Sequence, residues 1–174
     1  MPHQTEEDMR TETITRALYA FDELSEDAKE KALDAHRTCN LDHEWWDWTY
    51  EDAANVGIKI TEFGLDRDRH ADGEVADPVQ TAIDIVANHG AHCSTHKTAA
   101  AFLKERTELI AGWTGDEDLL DDKLNELDED FARDILEDYS IILQNEYEYL
   151  YSDEAVQETI EANEWEFGKY GNPA

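Results

Sequence analysis

Cations are scarce in this chain. Lys and Arg together number 14 against 44 Asp and Glu, leaving a formal charge of -30 and a sequence pI near 4.2. A surface this negative excludes direct binding to free nucleic acid or to an anionic membrane, because both are polyanions that need Lys and Arg to displace their counterions. The natural counterpart is a basic partner, or cations. Cysteine is nearly absent as well: Cys39 and Cys93 are too few for a disulfide framework. No run of about 18 apolar residues occurs, so no membrane-spanning helix is expected. The opening residues 1–12 are polar and acidic, unlike a signal peptide, and a cytoplasmic location is the expectation. Also missing are a Gly-rich phosphate loop, a G-x-S-x-G turn, and a Cys with a recognisable base and orienter. Paired carboxylates carry no information where acids are everywhere, so the chain is read as a non-enzyme that needs no cofactor.

What remains is the composition of a folded body. Hydrophobic residues make up 40% and aromatics 10% of the 174 residues, with five Trp, unlike a disordered acidic tail. That length favours one domain and lets it bury about 70% of the surface of the unfolded chain. Self-repulsion at this charge opposes compaction, which implies either a use for the charge or a saline environment that screens it.

The periodicities predict a mainly α fold, a helical bundle with one small β-hairpin. Residues 1–12 read as a flexible acidic arm, 13–167 as a single domain and 168–174 as a tail. Ser25 is an expected N-cap, with Glu26 and Asp27 favoured by the helix dipole in the first turn. Asp42 or His43 opens a second helix that carries Trp45, Trp46, Tyr50, Ala53 and Ala54 and stops at Gly57. Alternation of Ile58, Ile60 and Phe63 against polar neighbours, with Asp72-Gly73 as the turn, predicts the hairpin. Asp77-Pro78 starts the next helix, which stops at Gly90, and Ser94 or Thr95 starts another that breaks between Gly112 and Gly115. Ser152 is expected to cap a last helix through Val156 and Ile160.

The densest acidity lies in GDEDLLDDKLNELDEDFARDILED, residues 115–138, which sets twelve carboxylates against Lys123 and Arg133. Like charges at i,i+4 cost a few tenths of a kcal/mol per pair, so a solvated helix normally interleaves the signs. Leu120, Leu124, Leu127, Phe131 and Ile135 recur at helical spacing and continue through Tyr139, Ile142 and Leu143. This is one long amphipathic helix to Leu150, or two helices meeting near Ser140. Either way the apolar stripe turns inward and the acids are displayed. Asp116, Glu117, Asp118, Asp121, Asp122, Glu126, Asp128, Glu129, Asp130 and Asp134 are the candidate partner-binding residues, standing in for phosphates. Thirty charges match a duplex of about 15 base pairs, at one charge per about 1.7 Å of axis.

Three further patterns stand out. His36, Cys39 and His43, and then His89, His92, Cys93 and His96, form two His/Cys clusters; His92 and His96 share the i,i+4 spacing of zinc ligands. Neither cluster carries a C-x-x-C or H-E-x-x-H pattern, and helix-end histidines with small core cysteines are the preferred reading, so no metal is assigned. Counted as a calcium loop from Asp66, DRDRHADGEVAD has Ala71 where the sharp turn needs Gly and Asp77 at the last position. Among Trp45, Trp46, Trp48 and Tyr50, and again Tyr147, Tyr149 and Tyr151, most are core residues, and one Trp is a candidate surface anchor.

FDELSEDAKEKALDAHR, WWDWTYEDAANVGIKI and ILQNEYEYLYSDEAVQETIEANEWEF resemble a family of uncharacterised acidic phage and prophage proteins, some labelled antitoxin-like. The likeness spans roughly residues 14 to 167, and its last stretch is the most specific. The His-rich segment around Cys93 departs from the family pattern. The resemblance implies a small cytoplasmic protein made during infection or from a prophage. Acidic phage proteins of this size include DNA mimics that inhibit restriction enzymes and CRISPR complexes. It supplies no catalytic residue and no cofactor. A DNA-mimicking inhibitor of a host defence complex is therefore the leading expectation. An antitoxin-like interaction module, or a halotolerant protein without a basic partner, is the alternative.

Overall fold

The computed structural model describes residues 10–174; most of the expected N-terminal arm, residues 1–9, lies outside the described residues. The described residues hold six α-helices and one two-stranded antiparallel sheet, so the chain is mainly α with a small β-hairpin. It divides into two compact units. One joins the segment up to Cys39 to Asp153–Ala174, and the other is the continuous stretch Asn40–Ser152.

In the first unit, α1 (Glu26–Ala35) starts where predicted: the Ser25 hydroxyl accepts the Ala28 N–H at 3.3 Å. Its apolar stripe, Ala28, Ala32 and Leu33, packs with Val156 and Ile160 of α6 (Asp153–Ala162) and with Phe21, Leu24 and Phe167. The Arg37 guanidinium ties the ends of these helices together, reaching Asp34 at 2.9 Å and Asp153 at 2.5 Å. Tyr19 and Phe167 exchange backbone N–H···O bonds, both 2.9 Å. Residues 168–174, read from sequence as a tail, turn back instead. Phe167 bridges to Pro173, and Gly171, at φ +83°, lies so close to helix α1 that a Cβ there would collide with the Ala28 carbonyl oxygen. Only glycine fits such a position, on both backbone and steric grounds.

In the second unit, α2 (Asp47–Asn55) leads into β1 (Ile58–Gly64), which pairs antiparallel with β2 (His70–Val75). The hairpin is present, but its turn is not at Asp72-Gly73. The chain reverses over a 3-10 turn at Asp66–Asp68, and Gly73 sits within β2 opposite Ile60, where a Cβ would collide with the Lys59 carbonyl oxygen. This glycine therefore serves a close backbone approach beside an irregularity between Ile60 and Glu62, a known role for a strand glycine. The reversal is held from outside: Asp66, at φ 59°, donates its N–H to Gln144 at 2.7 Å, and the Gln144 amide returns a bond to the Asp66 carboxylate at 3.1 Å.

Helix α3 (Pro78–Asn88) begins with the Asp77 side chain accepting the Gln80 N–H at 3.0 Å. Helices α4 (Ser94–Gly112) and α5 (Glu117–Leu150) follow. The second of the two alternatives for the acidic helix falls away, because α5 runs unbroken through Ser140. It stays continuous because both flanks are covered: Phe131, Ile135 and Tyr139 enter the core with Ala53, Ile58, Ala82, Ile85, Ala99 and Phe102, while Ser140 and Gln144 are buried under the hairpin turn, where Arg69 donates to the Ser140 hydroxyl at 3.1 Å. Thr98 with Asp138, Phe102 with Phe131 and Arg106 with Asp128 pair in opposite sequence order, so α4 and α5 form an antiparallel helical hairpin.

Candidate partner-binding surface

The acidic helix is set up at its start. The Asp116 carboxylate caps α5 by accepting the Asp118 N–H at 2.8 Å, and Glu117 and Asp118 occupy the first turn, where the dipole favours anions. The Trp113 indole N–H donates to the Asp116 carbonyl at 2.9 Å and closes the short turn from α4.

From there the ten predicted acids separate into groups. Asp116, Glu117, Asp118, Asp121, Asp122 and Glu129 are exposed, and no cation among the described residues pairs with them. Glu126 is paired with Lys123 at 2.9 Å, and Arg133 lies between Asp130 at 2.5 Å and Asp134 at 3.9 Å. Asp128 does not belong to the displayed set. It faces the Arg106 side chain at 3.5 Å, and its nearer oxygen and the Arg106 Nε are both shut off from solvent without a hydrogen-bond partner. Burial raises its pKa, opposed by the Arg106 charge and reinforced by Asp77.

The density of the stripe follows from the helix. Asp116 to Asp134 covers about 27 Å at 1.5 Å per residue. Ten acids less the three paired cations Lys123, Arg133 and Arg106 leave seven net charges, or one per roughly 4 Å, close to the one per about 3.4 Å of a single nucleic-acid strand. The stripe thus resembles one strand, not a duplex.

Sequence periodicity on α5 alone missed two contributors on the neighbouring helix. Glu105 and Glu108 of α4 line the same groove as Glu126 and Asp130. Their i,i+3 spacing in KERTEL was the available signal.

The histidines do not assemble a metal site: no group of three or more His, Cys, Asp or Glu side chains converges among the described residues. His36 stacks on Trp165 at 4.5 Å, and burial lowers its pKa. His96 donates from Nδ1 to the His89 carbonyl at 3.0 Å, which fixes its tautomer. His89 Nδ1 is 2.7 Å from the Thr95 hydroxyl, and its Nε2 is 3.6 Å from the Asp52 carboxylate. The same Asp52 oxygen accepts from the buried Tyr139 hydroxyl at 2.9 Å; burial, then this bond, push the Tyr139 pKa far above its usual range. Acid, imidazole and hydroxyl stand in series, but Thr95 is only 2% exposed, so its hydroxyl is not offered to a substrate. Among the tryptophans, Trp45 and Trp46 pack with Phe63, and Trp48 stands 80% exposed.

Asp138 is the second acid held above its usual range. Burial is the main cause; the Thr98 hydrogen bond at 2.6 Å opposes it, and Asp134 and Glu137 add to it. An acid whose folded pKa exceeds its unfolded value binds its proton more tightly when folded. Stability therefore rises as pH falls through the interval between the ordinary value of 3.8 and the raised one, and is lowest above it. Asp138→Asn keeps an acceptor for Thr98 and removes this charge. The variant is expected to be more stable than the parent near neutral pH by a few tenths of a kcal/mol, after allowance for solvent screening. The advantage should vanish as Asp138 becomes protonated in the parent. Urea unfolding at neutral and mildly acidic pH checks both points.

No protein-family model, no curated protein and no solved structure matches this chain. No helix of the described residues is long and apolar enough to cross a membrane.

Proposed function

We propose that this is a phage-type acidic protein that acts as a nucleic-acid mimic, occupying the basic nucleic-acid-binding groove of a host defence complex of the CRISPR or restriction kind in the host cytoplasm. One observation carries the reading: five exposed carboxylates without cation partners, and a sixth on the N-cap Asp116, are displayed by a single 34-residue helix whose opposite face is locked into a core. A flexible acidic tail loses conformational entropy when it binds, whereas a preformed rod does not. Charge at the density of one strand attracts Arg and Lys placed to hold phosphates, and it speeds the encounter. The acids are the functional groups, and neither a cofactor nor a catalytic residue enters the scheme.

A second reading, a protein-interaction module of the antitoxin-like kind, is favoured by Trp48, because a tryptophan exposed to 80% is a typical interface anchor. Salt separates the two. The tagged protein is used to capture partners from a bacterial lysate at about 50 mM and about 200 mM salt; a mimic should recover nucleic-acid-binding proteins at the lower salt and lose them by a factor of roughly 10³ or more at the higher. Capture that persists unchanged favours the anchor. Recovery of no nucleic-acid-binding protein at either salt rejects mimicry and leaves salt adaptation as the reason for the acidity.

A further inference from the structure

Two adjoining clefts of about 450 and 470 Å³ run along one side of the α4–α5 hairpin and share Glu105, Leu127 and Asp130, so they form one groove. Its accessible floor is apolar: Ala101 and the half-buried Leu127 and Leu109 lie over the buried Phe102–Phe131 stack, whose ring centroids are 4.4 Å apart. Ala101, an exposed small residue, leaves the groove open on the α4 side. The rims carry five acids, Glu105 and Glu108 from α4 and Glu126, Asp130 and Asp134 from α5, against Lys97 and Lys123 near the two ends. Glu108, Glu126 and Asp130 also hold the exposed cations Lys104, Lys123 and Arg133, and Glu105 has no cation partner among the described residues, so the lining stays net acidic. On α4 the lining runs from Lys97 to Leu109, about 18 Å, the length of roughly twelve helical residues.

We infer that this groove receives a cationic amphipathic helix of a partner protein. An apolar floor between two acidic rims calls for an apolar stripe flanked on both sides by Lys and Arg. A helix with apolar residues at i, i+3, i+4 and i+7 presents that arrangement. An extended strand alternates its side chains between two faces and leaves the rims unmatched, and a nucleic-acid strand is repelled by the rims. Charge selects the sign of the flanking residues, and the floor selects a helical face over a merely basic peptide. The inference rests on the reading above that the partner is basic, and narrows what that partner inserts to a helix.

The test uses two synthetic peptides of about 15 residues with the same Leu, Lys and Arg composition, one with the leucines on a single helical face and the other with them scattered. The facial peptide is expected to bind the parent protein at least about tenfold more tightly. Ala101→Trp, which fills the groove from an exposed helical position, should reduce the ratio to one, as should Glu105→Lys; circular dichroism verifies that each variant is folded. Reversing Asp118 and Asp122, outside the groove, should weaken both peptides alike and preserve the ratio. Equal binding of the two peptides to the parent, or a ratio that neither groove variant changes, overturns the groove. A ratio of one alongside capture of a nucleic-acid-binding protein rejects the groove alone, whereas a high ratio without such capture supports the groove and rejects nucleic-acid mimicry alone.

Discussion

Exchanging Asp118, Asp121, Asp122 and Glu129 for lysine should weaken binding of the basic partner captured at low salt by about 10³-fold or more, with the helical circular dichroism spectrum retained. Each exposed ion pair at about 4 Å is worth about 1 kcal/mol in water, so removing four of them costs about 4 kcal/mol, a factor of roughly 10³, and reversal adds repulsion to that loss. The choice of residues follows from the structure. These four are exposed and have no cation partner among the described residues, so reversing them breaks no ion pair within the chain. Asp128 is unsuitable because it shares a desolvated contact with Arg106; reversing it would place two cations together in a site shut off from water. Asp130 is also unsuitable, since it lines the groove and holds Arg133. The logarithm of the parent's affinity should fall linearly with the logarithm of salt and the variant's should be nearly flat, because counterion release scales with the charges engaged. Undiminished binding would move the interface off the stripe, and Trp48→Ala would then be expected to abolish it.

The elements whose signals are local were legible in the sequence. The Ser25 and Asp77 caps and the inward stripe of α5 lie where propensity and period place them, because each depends on residues within one turn of one another. The parts that were not legible depend on contacts distant in sequence. Asp72-Gly73 has the composition of a hairpin turn, yet Gln144, 78 residues from Asp66, supplies the partners that stabilise the reversal at Asp66–Asp68. Asp128 reads as one more displayed acid until α4 places Arg106 beside it. Residues 168–174 look like a tail because nothing in GKYGNPA shows that Gly171 will lie against Ala28. The unbroken amphipathic pattern likewise does not announce the division at Cys39 and Asp153. Nine of the ten candidate acids lie within α5 and Asp116 caps it, but the i,i+3 pair Glu105 and Glu108 could not be assigned to the same groove, because a helix period identifies the faces of one element and says nothing about which neighbour shares them.

Phe131→Ala should lower the stability of the Asn40–Ser152 unit by roughly 3–5 kcal/mol, the cost of deleting a buried aromatic side chain. Phe131 is 2% exposed, and its ring lies flat on Phe102, with planes 17° apart. Ala82 and Ala99 of the same core cluster are small and fully buried, so these two have no side chain with which to fill the cavity. Against a typical total of about 5–15 kcal/mol, the loss is a large share, and the charge makes it larger. Repulsion among the acids of a chain at -30 already opposes the compact state, and more strongly at low ionic strength, where the Debye length reaches about 30 Å at 0.01 M. The variant is therefore expected to be largely unfolded in dilute buffer and to regain helicity as salt is added, whereas Leu119→Ala, at a position 57% exposed, should stay within about 0.5 kcal/mol of the parent throughout. Urea unfolding at two salt concentrations measures this, with an unchanged slope marking a pure stability effect. A loss below about 1 kcal/mol would mean that the Phe102–Phe131 stack does not hold α4 to α5. The salt trend also separates the two kinds of failure in binding: the Phe131 variant should recover partner affinity where added salt refolds it and still permits association, whereas the charge-reversed variant is folded at every salt concentration and recovers none.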